Sequence, residues 1–261
     1  MTLLRIVFAS IIRNASNADP VPVSGLEYTA HMKRRDEAGR LVNPFSLLRS
    51  AASKARHAVD EYARATGKSA PEPLVVCGDA TSMGRIAAGR FDAAITSPPY
   101  HNAVDYYRRH QLEMFWLGHT SSQTERELLL PRYIGRPHIA AKDPLLALTW
   151  NPPKLTDKWE QKIRTAAPRR ADDFRHYVQA MSLCFVSVAT AVKSGAPLLM
   201  VVGHSSWNGD EIPTGKLFAE LASDFELREV LYYPVKNRYM SYTRRNQASI
   251  DKEYVLSFVR R

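Results

Sequence analysis

The sequence predicts an α/β fold built on an open, partly parallel sheet, and three observations carry that expectation. Short apolar runs alternate with helix-length segments, the pattern that produces strand–helix–strand units. One such run, Ala93-Ala94-Ile95-Thr96, ends abruptly in Ser97-Pro98-Pro99-Tyr100. Two successive prolines have no N–H to donate, so they cannot continue a central strand and instead leave a rigid lip just past its carboxyl end. Finally, residues 225–233 and 253–259 read as two strands joined by a basic loop, an antiparallel hairpin that closes the chain. With 261 residues, 45% of them hydrophobic, the chain is long enough for one large domain, or one domain with a sizeable insertion.

The elements follow in order. Residues 2–13 carry apolar side chains at helical spacing and stop near Asn14-Ala15-Ser16-Asn17. The first twelve residues have a superficial likeness to a signal peptide, but Arg5 interrupts the apolar run and no cleavage segment follows, so a buried amphipathic helix is expected. Residues 19–25 are rich in turn formers. Asn43-Pro44 is a helix-start pair, and the helix runs over 45–66 until Gly67 stops it. Residues 74–77 read as a short buried strand and 91–96 as the next. A helix over 103–117 begins soon after the prolines. From about 120 to 170, Pro131, Pro137, Pro144, Pro152, Pro153 and Pro168 break the periodicity among basic and aromatic residues. That stretch reads as an insertion with limited regular structure, long enough to favour a functional role. A helix over 172–193, stopped by Gly195, an apolar strand over 197–203 and a helix over 214–223 precede the final hairpin. The chain thus divides into an N-terminal helical segment, 1–70, and a main region, 71–261, that contains the insertion. No stretch is long enough to cross a membrane.

The lip carries the chemistry. Ligands of open α/β sheets collect outside the carboxyl ends of the strands. There Ser97 offers a hydroxyl, Pro98 a carbonyl with no paired amide, and Tyr100 an aromatic face. Together they suit a planar ring bearing an exocyclic amino group. Such an amine is a poor nucleophile because its lone pair is delocalised into the ring. Two acceptors set against its N–H bonds, the Ser97 oxygen and the Pro98 carbonyl, raise electron density on nitrogen and stabilise the positive charge that grows during attack. Tyr100 can stack on a base flipped from a duplex. A bare strand-ending turn remains the bland alternative for the same four residues.

Ser97-Pro98-Pro99-Tyr100 resembles the catalytic motif of the amino-group DNA methyltransferases, which use S-adenosylmethionine to make N4-methylcytosine or N6-methyladenine. Cys77-Gly78-Asp79-Ala80 resembles the segment of that family whose acidic residue contacts the adenine end of the cofactor, one strand–helix–strand step earlier. Tyr106-Tyr107-Arg108-Arg109-His110 and Phe115-Trp116-Leu117-Gly118 are similar to the helix that follows the motif in large bacterial DNA methylases. The likeness covers roughly residues 73–118. It implies a Rossmann-like methyltransferase sheet in a cytoplasmic prokaryotic protein, a catalytic set Ser97, Pro98, Pro99 and Tyr100, cofactor contacts at Gly78, Asp79, Ala80 and Thr96, and double-stranded DNA with a flipped base as substrate. Serine at the first motif position leans toward N4-cytosine over N6-adenine. The same lip occurs in RNA guanine and protein glutamine methylases, so an RNA base is an alternative substrate. Asp79 is equally readable as the cap of the element that follows it.

The chain departs from the family in its first half. The family's glycine-rich turn lets the backbone approach the methionine portion of the cofactor, yet no Gly-x-Gly occurs among the twelve glycines. Residues 1–70 hold no pair of strands to carry such loops. The C-terminal half of the sheet, with its terminal antiparallel hairpin, is what remains. The favoured explanation is a split enzyme in which a companion polypeptide supplies the glycine-rich motif and residues 1–70 dock on it. A degenerate self-sufficient pocket and a noncatalytic nucleic-acid-binding subunit of a methyltransferase or restriction-modification complex are the alternatives.

The net charge of +10 fits a polyanionic partner. Arg108 and Arg109 on the helix after the lip, and Arg132, Arg136 and His138 in the insertion, are candidates for nucleic-acid contact. So are Lys236, Arg238, Arg244 and Arg245, interleaved with Tyr239 and Tyr242 in the hairpin loop. Each is also readable as part of a solvated face. His204, just past an apolar strand, could line a base pocket, though a lone histidine is more often structural. The eight histidines show no metal-ligand spacing, and no metal is expected. Cys77 and Cys184 lie in apolar runs and are expected as reduced core thiols.

Overall fold

A computed structural model describes residues 2–19, 28–67, 72–83, 88–101, 106–235 and 252–261. The chain is a mixed α/β protein whose residues gather into two compact units, one made of 1–76 and 106–130, the other of 77–105 and 131–261.

The first unit is helical. Helix α1 (Thr2–Ala15) packs against α3 (Pro44–Thr66) and α4 (Tyr106–Trp116). Val7, Ile11 and Ile12 form its buried stripe, whereas Leu3, Leu4 and Ile6 stay exposed, the division an amphipathic helix makes. Arg13 is also buried, and its guanidinium donates to Glu113 Oε1 at 2.8 Å and to the Arg109 carbonyl at 2.8 Å. A buried arginine needs such partners. Helix α2 (Ala30–Glu37) starts at Thr29, whose hydroxyl accepts from the Met32 amide. Helix α3 starts at Asn43-Pro44 and ends at Gly67, as the sequence predicts, with the Asn43 side chain accepting from the Ser46 amide. Helix α5 (Gln123–Leu129) completes the unit.

The second unit holds the sheet. Strands β1 (Ala94–Thr96), β2 (Pro197–Gly203), β5 (Phe225–Pro234) and β6 (Lys252–Arg260) lie in the order β1-β2-β6-β5. The β1–β2 pair is parallel, with Ala94, Ile95 and Thr96 opposite Leu198, Leu199 and Met200; the β2–β6 and β6–β5 pairs are antiparallel. Strands β3 (Ser205–Trp207) and β4 (Asp210–Ile212) make a separate ribbon. Its turn, Asn208-Gly209, has positive φ at both residues (48° and 86°), the hairpin geometry that Asn-Gly favours. The ribbon was not expected from the sequence, although that dipeptide is its signal.

Three helices precede the core strand β2: α6 (Pro144–Ala147), α7 (Lys154–Ala166) and α8 (Pro168–Ala191). Helix α9 (Thr214–Leu221) follows it. The core sits between α8 and one face of the sheet. Phe174, Val178, Met181 and Phe185 meet Leu198, Met200, Val202, Leu256 and Phe258. On the other face Ile95 is 77% exposed, and Leu199 and Val201 are only half-buried. Strand β2 is therefore apolar on both sides, the pattern of strands covered on both faces, while one face here is open. Among the described residues β1 has no strand on its outer edge.

Two expectations need correction. Residues 72–79 form no strand, and Leu74 and Val75 are 77% and 90% exposed. Leu-Val-Val has strand propensity, but a strand exists only where a neighbour pairs with it, and no described strand lies beside this segment. Cys77 is accordingly exposed, whereas Cys184 is buried as expected, which pushes its thiol up to about 12. The 120–170 stretch is more regular than expected because three of its prolines, Pro144, Pro153 and Pro168, stand at helix starts rather than interrupt helices. Pro144 and Pro168 sit in first turns and Pro153 immediately precedes α7; a helix start has no use for the missing N–H.

Candidate functional site

Ser97-Pro98-Pro99-Tyr100 follows directly on β1. Ser97 is exposed, Pro98 is buried, and Pro99 and Tyr100 are half-buried. Among the described residues neither the Ser97 hydroxyl nor the Pro98 carbonyl takes part in a hydrogen bond. The next carbonyl is different: the Tyr177 hydroxyl on α8 donates to the Pro99 oxygen at 3.0 Å. Tyr177 is 2% exposed, so this contact fixes the lip from beneath.

Two further features hold the lip. His101, the residue after Tyr100, is buried against Phe174 (ring centroids 5.4 Å apart, edge-on) and Tyr177 (5.2 Å). Burial pushes its pKa down to about 4, opposed by the nearby Asp173 carboxylate and assisted by Arg170, so the imidazole is neutral at pH 7 and acts as a packed aromatic. Gly135 lies on the other side. Its φ is +82°, and a Cβ there would sit 3.3 Å from the Tyr100 carbonyl oxygen and 3.5 Å from the Tyr177 ring. Only glycine allows both the left-handed backbone and this approach.

The Tyr100 ring is tied to the terminal hairpin. Its hydroxyl donates to Glu253 Oε1 at 3.0 Å, and the Tyr233 hydroxyl donates to Oε2 of the same carboxylate. Glu253 sits opposite Gly203 of β2 and Tyr233 of β5, which places it at the end of the sheet where β2 leaves its carboxyl terminus. The hydrogen bond to Glu253 holds the Tyr233 phenol above its ordinary pKa. One residue beyond Gly203, His204 stacks on Tyr254 (4.2 Å, 14° between planes), and its Nδ1 lies 2.6 Å from Glu211 Oε1. The lip end of the sheet is thus lined with aromatic rings and acceptors, an arrangement suited to a planar ring carrying N–H groups.

The residues matched to cofactor contact are disposed otherwise. Gly78, Asp79 and Ala80 are all exposed. Asp79 Oδ1 accepts from the Thr81 amide (2.8 Å) and hydroxyl (2.7 Å), which caps a 3-10 turn over Ala80–Ser82 and holds the carboxyl below its ordinary pKa. The turn is anchored to α8, where the Ser187 hydroxyl accepts from the Met83 amide at 2.5 Å. Thr96 is opposite Met200 and shares the sheet face that packs under α8. These groups form no enclosure, so by themselves they do not fit S-adenosylmethionine.

The basic candidates separate into classes. Arg109 is exposed on α4 and Arg132 is exposed in a 3-10 turn over Leu130–Arg132. Arg136 is not a surface group: it faces Asp143 at 3.4 Å, with side chains 15% and 12% exposed, and His176 approaches the same carboxylate at 3.5 Å. Arg108 lies on α4, but its side chain is outside the described residues, as are Lys236, Arg238, Tyr239, Tyr242, Arg244 and Arg245 entirely. His138, exposed with φ +62°, lines a hollow of about 490 Å³ with Arg169 and Arg170 at the start of α8. Among the described residues no cluster of His, Cys, Asp and Glu is arranged for a metal ion, and no helix is long and apolar enough to cross a membrane.

Glu253, Tyr177, Tyr233 and Gly135 escape the sequence reading. They lie 153, 78, 133 and 35 positions from Tyr100 or Pro99, and no local pattern links them to the lip. No protein-family model matches the chain, and no curated protein matches its sequence.

Proposed function

We propose that this chain is the base-binding half of a Rossmann-like, S-adenosylmethionine-dependent methyltransferase that acts on an exocyclic amino group of a DNA base, N4 of cytosine ahead of N6 of adenine. The observation that carries the reading is the acceptor pair, Ser97 Oγ and the Pro98 carbonyl, at the carboxyl end of β1, beside an aromatic ring whose hydroxyl donates to Glu253. The two acceptors orient an amino group and share the positive charge that develops on it. Tyr100 provides a stacking surface for the flipped base. Fixed geometry is the chief contribution of such a site, and Tyr177, Gly135 and the buried His101 supply it.

The same chain is read as incomplete for the cofactor. The sequence offers no Gly-x-Gly turn for a cofactor cradle, and the edge of β1, which has no neighbouring strand among the described residues, suits a companion polypeptide that brings one. Exposed Arg109 and Arg132, with the net charge of +10, suit a nucleic-acid backbone.

The test is replacement of the lip. Ser97→Ala combined with Tyr100→Ala, assayed with the companion present, is expected to lower methyl transfer by a factor on the order of a thousand while changing DNA affinity by less than about threefold. Unchanged transfer would remove the lip from the chemistry. Absence of transfer by the wild-type mixture, with DNA binding retained, would favour a noncatalytic binding subunit, and preference for an RNA substrate would reassign the target.

A further inference from the structure

We infer that Glu253 is a positioning residue that sets the plane of the Tyr100 ring for stacking on the substrate base, an inference that rests on the lip being the base site. The geometry is specific. A tyrosine ring at a strand end rotates about two side-chain torsions unless its hydroxyl is held. Here the Tyr100 hydroxyl donates to Glu253 Oε1 at 3.0 Å, and the second oxygen of that carboxylate takes the Tyr233 hydroxyl. Glu253 is itself fixed by the β-ladder on both sides, opposite Gly203 of β2 and Tyr233 of β5. The β-ladder thus fixes the backbone of Glu253, and the hydroxyls of Tyr100 and Tyr233 meet on its carboxylate.

The backbone beneath is fixed independently, by Tyr177 at the Pro99 carbonyl and by the close approach of Gly135 to the Tyr100 carbonyl. The main chain of the lip and its aromatic side chain are thus held by different groups. Truncating the first loosens the fold; truncating the second removes a hydrogen bond that orients the ring. Charge-assisted hydrogen bonds such as these are among the stronger ones, and the position of Glu253, half-buried rather than deep in the core, makes its removal tolerable to the fold. Nothing in the sequence near residue 253 marks it for this role, because its partners come from residues 100 and 233.

The experiment uses the full chain and a single-stranded oligonucleotide carrying one 2-aminopurine, whose fluorescence is quenched when an aromatic ring stacks on it. The wild type is expected to quench on binding. Glu253→Ala is expected to weaken the quench several-fold at saturating protein and to leave affinity for the oligonucleotide within about twofold, since phosphate contacts are untouched. Glu253→Gln, which retains one acceptor, falls between them. Tyr100→Phe, which keeps the ring and removes the hydroxyl, matches Glu253→Ala, and the double variant is no worse than either single one, the signature of two residues acting as a unit. A merely structural glutamate would shift the melting temperature without moving the quench. A wild-type quench that Glu253→Ala leaves intact would overturn the inference and spare the base site. A wild type that binds the oligonucleotide without quenching, or does not bind it, would overturn the base site and the inference together.

Discussion

The two segments matched to the two ends of a methyl-transfer site, 97–100 and 77–80, are built in opposite ways. Residues 97–100 are held by groups from distant parts of the chain: Tyr177 on the Pro99 carbonyl, Glu253 on the Tyr100 hydroxyl, Gly135 against its main chain, and His101 buried directly behind. Residues 77–80 are exposed throughout, and Asp79 turns its carboxylate on its own neighbour Thr81. Preorganisation requires partners that over-determine a conformation. Residues 97–100 have several; residues 77–80 have a local cap at Asp79, and the turn that follows is tied to α8 through Ser187. On the proposed function, this is the difference that an enzyme divided between two polypeptides would leave in the half that carries the lip.

The contrast can be broken by truncating one side chain on each side. Tyr177→Ala removes a 2% exposed ring from the core and is expected to destabilise the second unit by about 3 kcal/mol or more. Val75→Ala removes an apolar side chain that is 90% exposed, and its effect is expected within about 0.5 kcal/mol. Chemical denaturation of both variants measures the difference. Equal losses would mean that residues 72–79 are packed in solution and that the open cofactor end is not a property of the chain.

A pH titration sharpens the same point. Burial lowers the His101 pKa from 6.5 to about 4, so the unfolded chain binds the proton more readily than the folded one. Stability is fully present above pH 6.5 and falls as the pH drops from 6.5 toward 4, by up to about 3 kcal/mol. Burial of His176 acts in the same direction, opposed by Asp143. Unfolding free energy measured from pH 7 to pH 4 should show this decline, and His101→Leu should flatten part of it. A wild-type curve unchanged by that substitution would place His101 in contact with water and weaken the anchor beneath Tyr100.

A smaller effect separates the arginines. Arg132→Ala is expected to lower DNA affinity a few-fold and to reduce the salt dependence by about one counterion. Arg136→Ala should leave the salt dependence unchanged and lower stability instead, because it leaves the Asp143 carboxylate without its cation. The reverse pattern would return Arg136 to the surface.

Much of the framework is legible in the sequence because local rules decide it. Asn43-Pro44 and Gly67 bound α3, and the proline pair ends β1 where the backbone runs out of donors. Pro144, Pro153 and Pro168 mislead only in sign, since a proline that breaks periodicity can also start the next helix. What stays hidden is pairing. Residues 74–77 have the propensity of a strand and no partner among the described strands, and Arg136 has the composition of a surface group and a buried carboxylate beside it. Likewise the lip is readable from four residues, whereas Tyr177 and Glu253 become visible only when the fold brings them 78 and 153 positions along the chain.

The division of the site is tested most directly by calorimetric titration of S-adenosylmethionine into the isolated chain. No saturable binding is expected, with saturable binding appearing once a companion bearing a glycine-rich turn is added. Saturable binding by the chain alone would contradict the half-site and return the cofactor to residues 77–80.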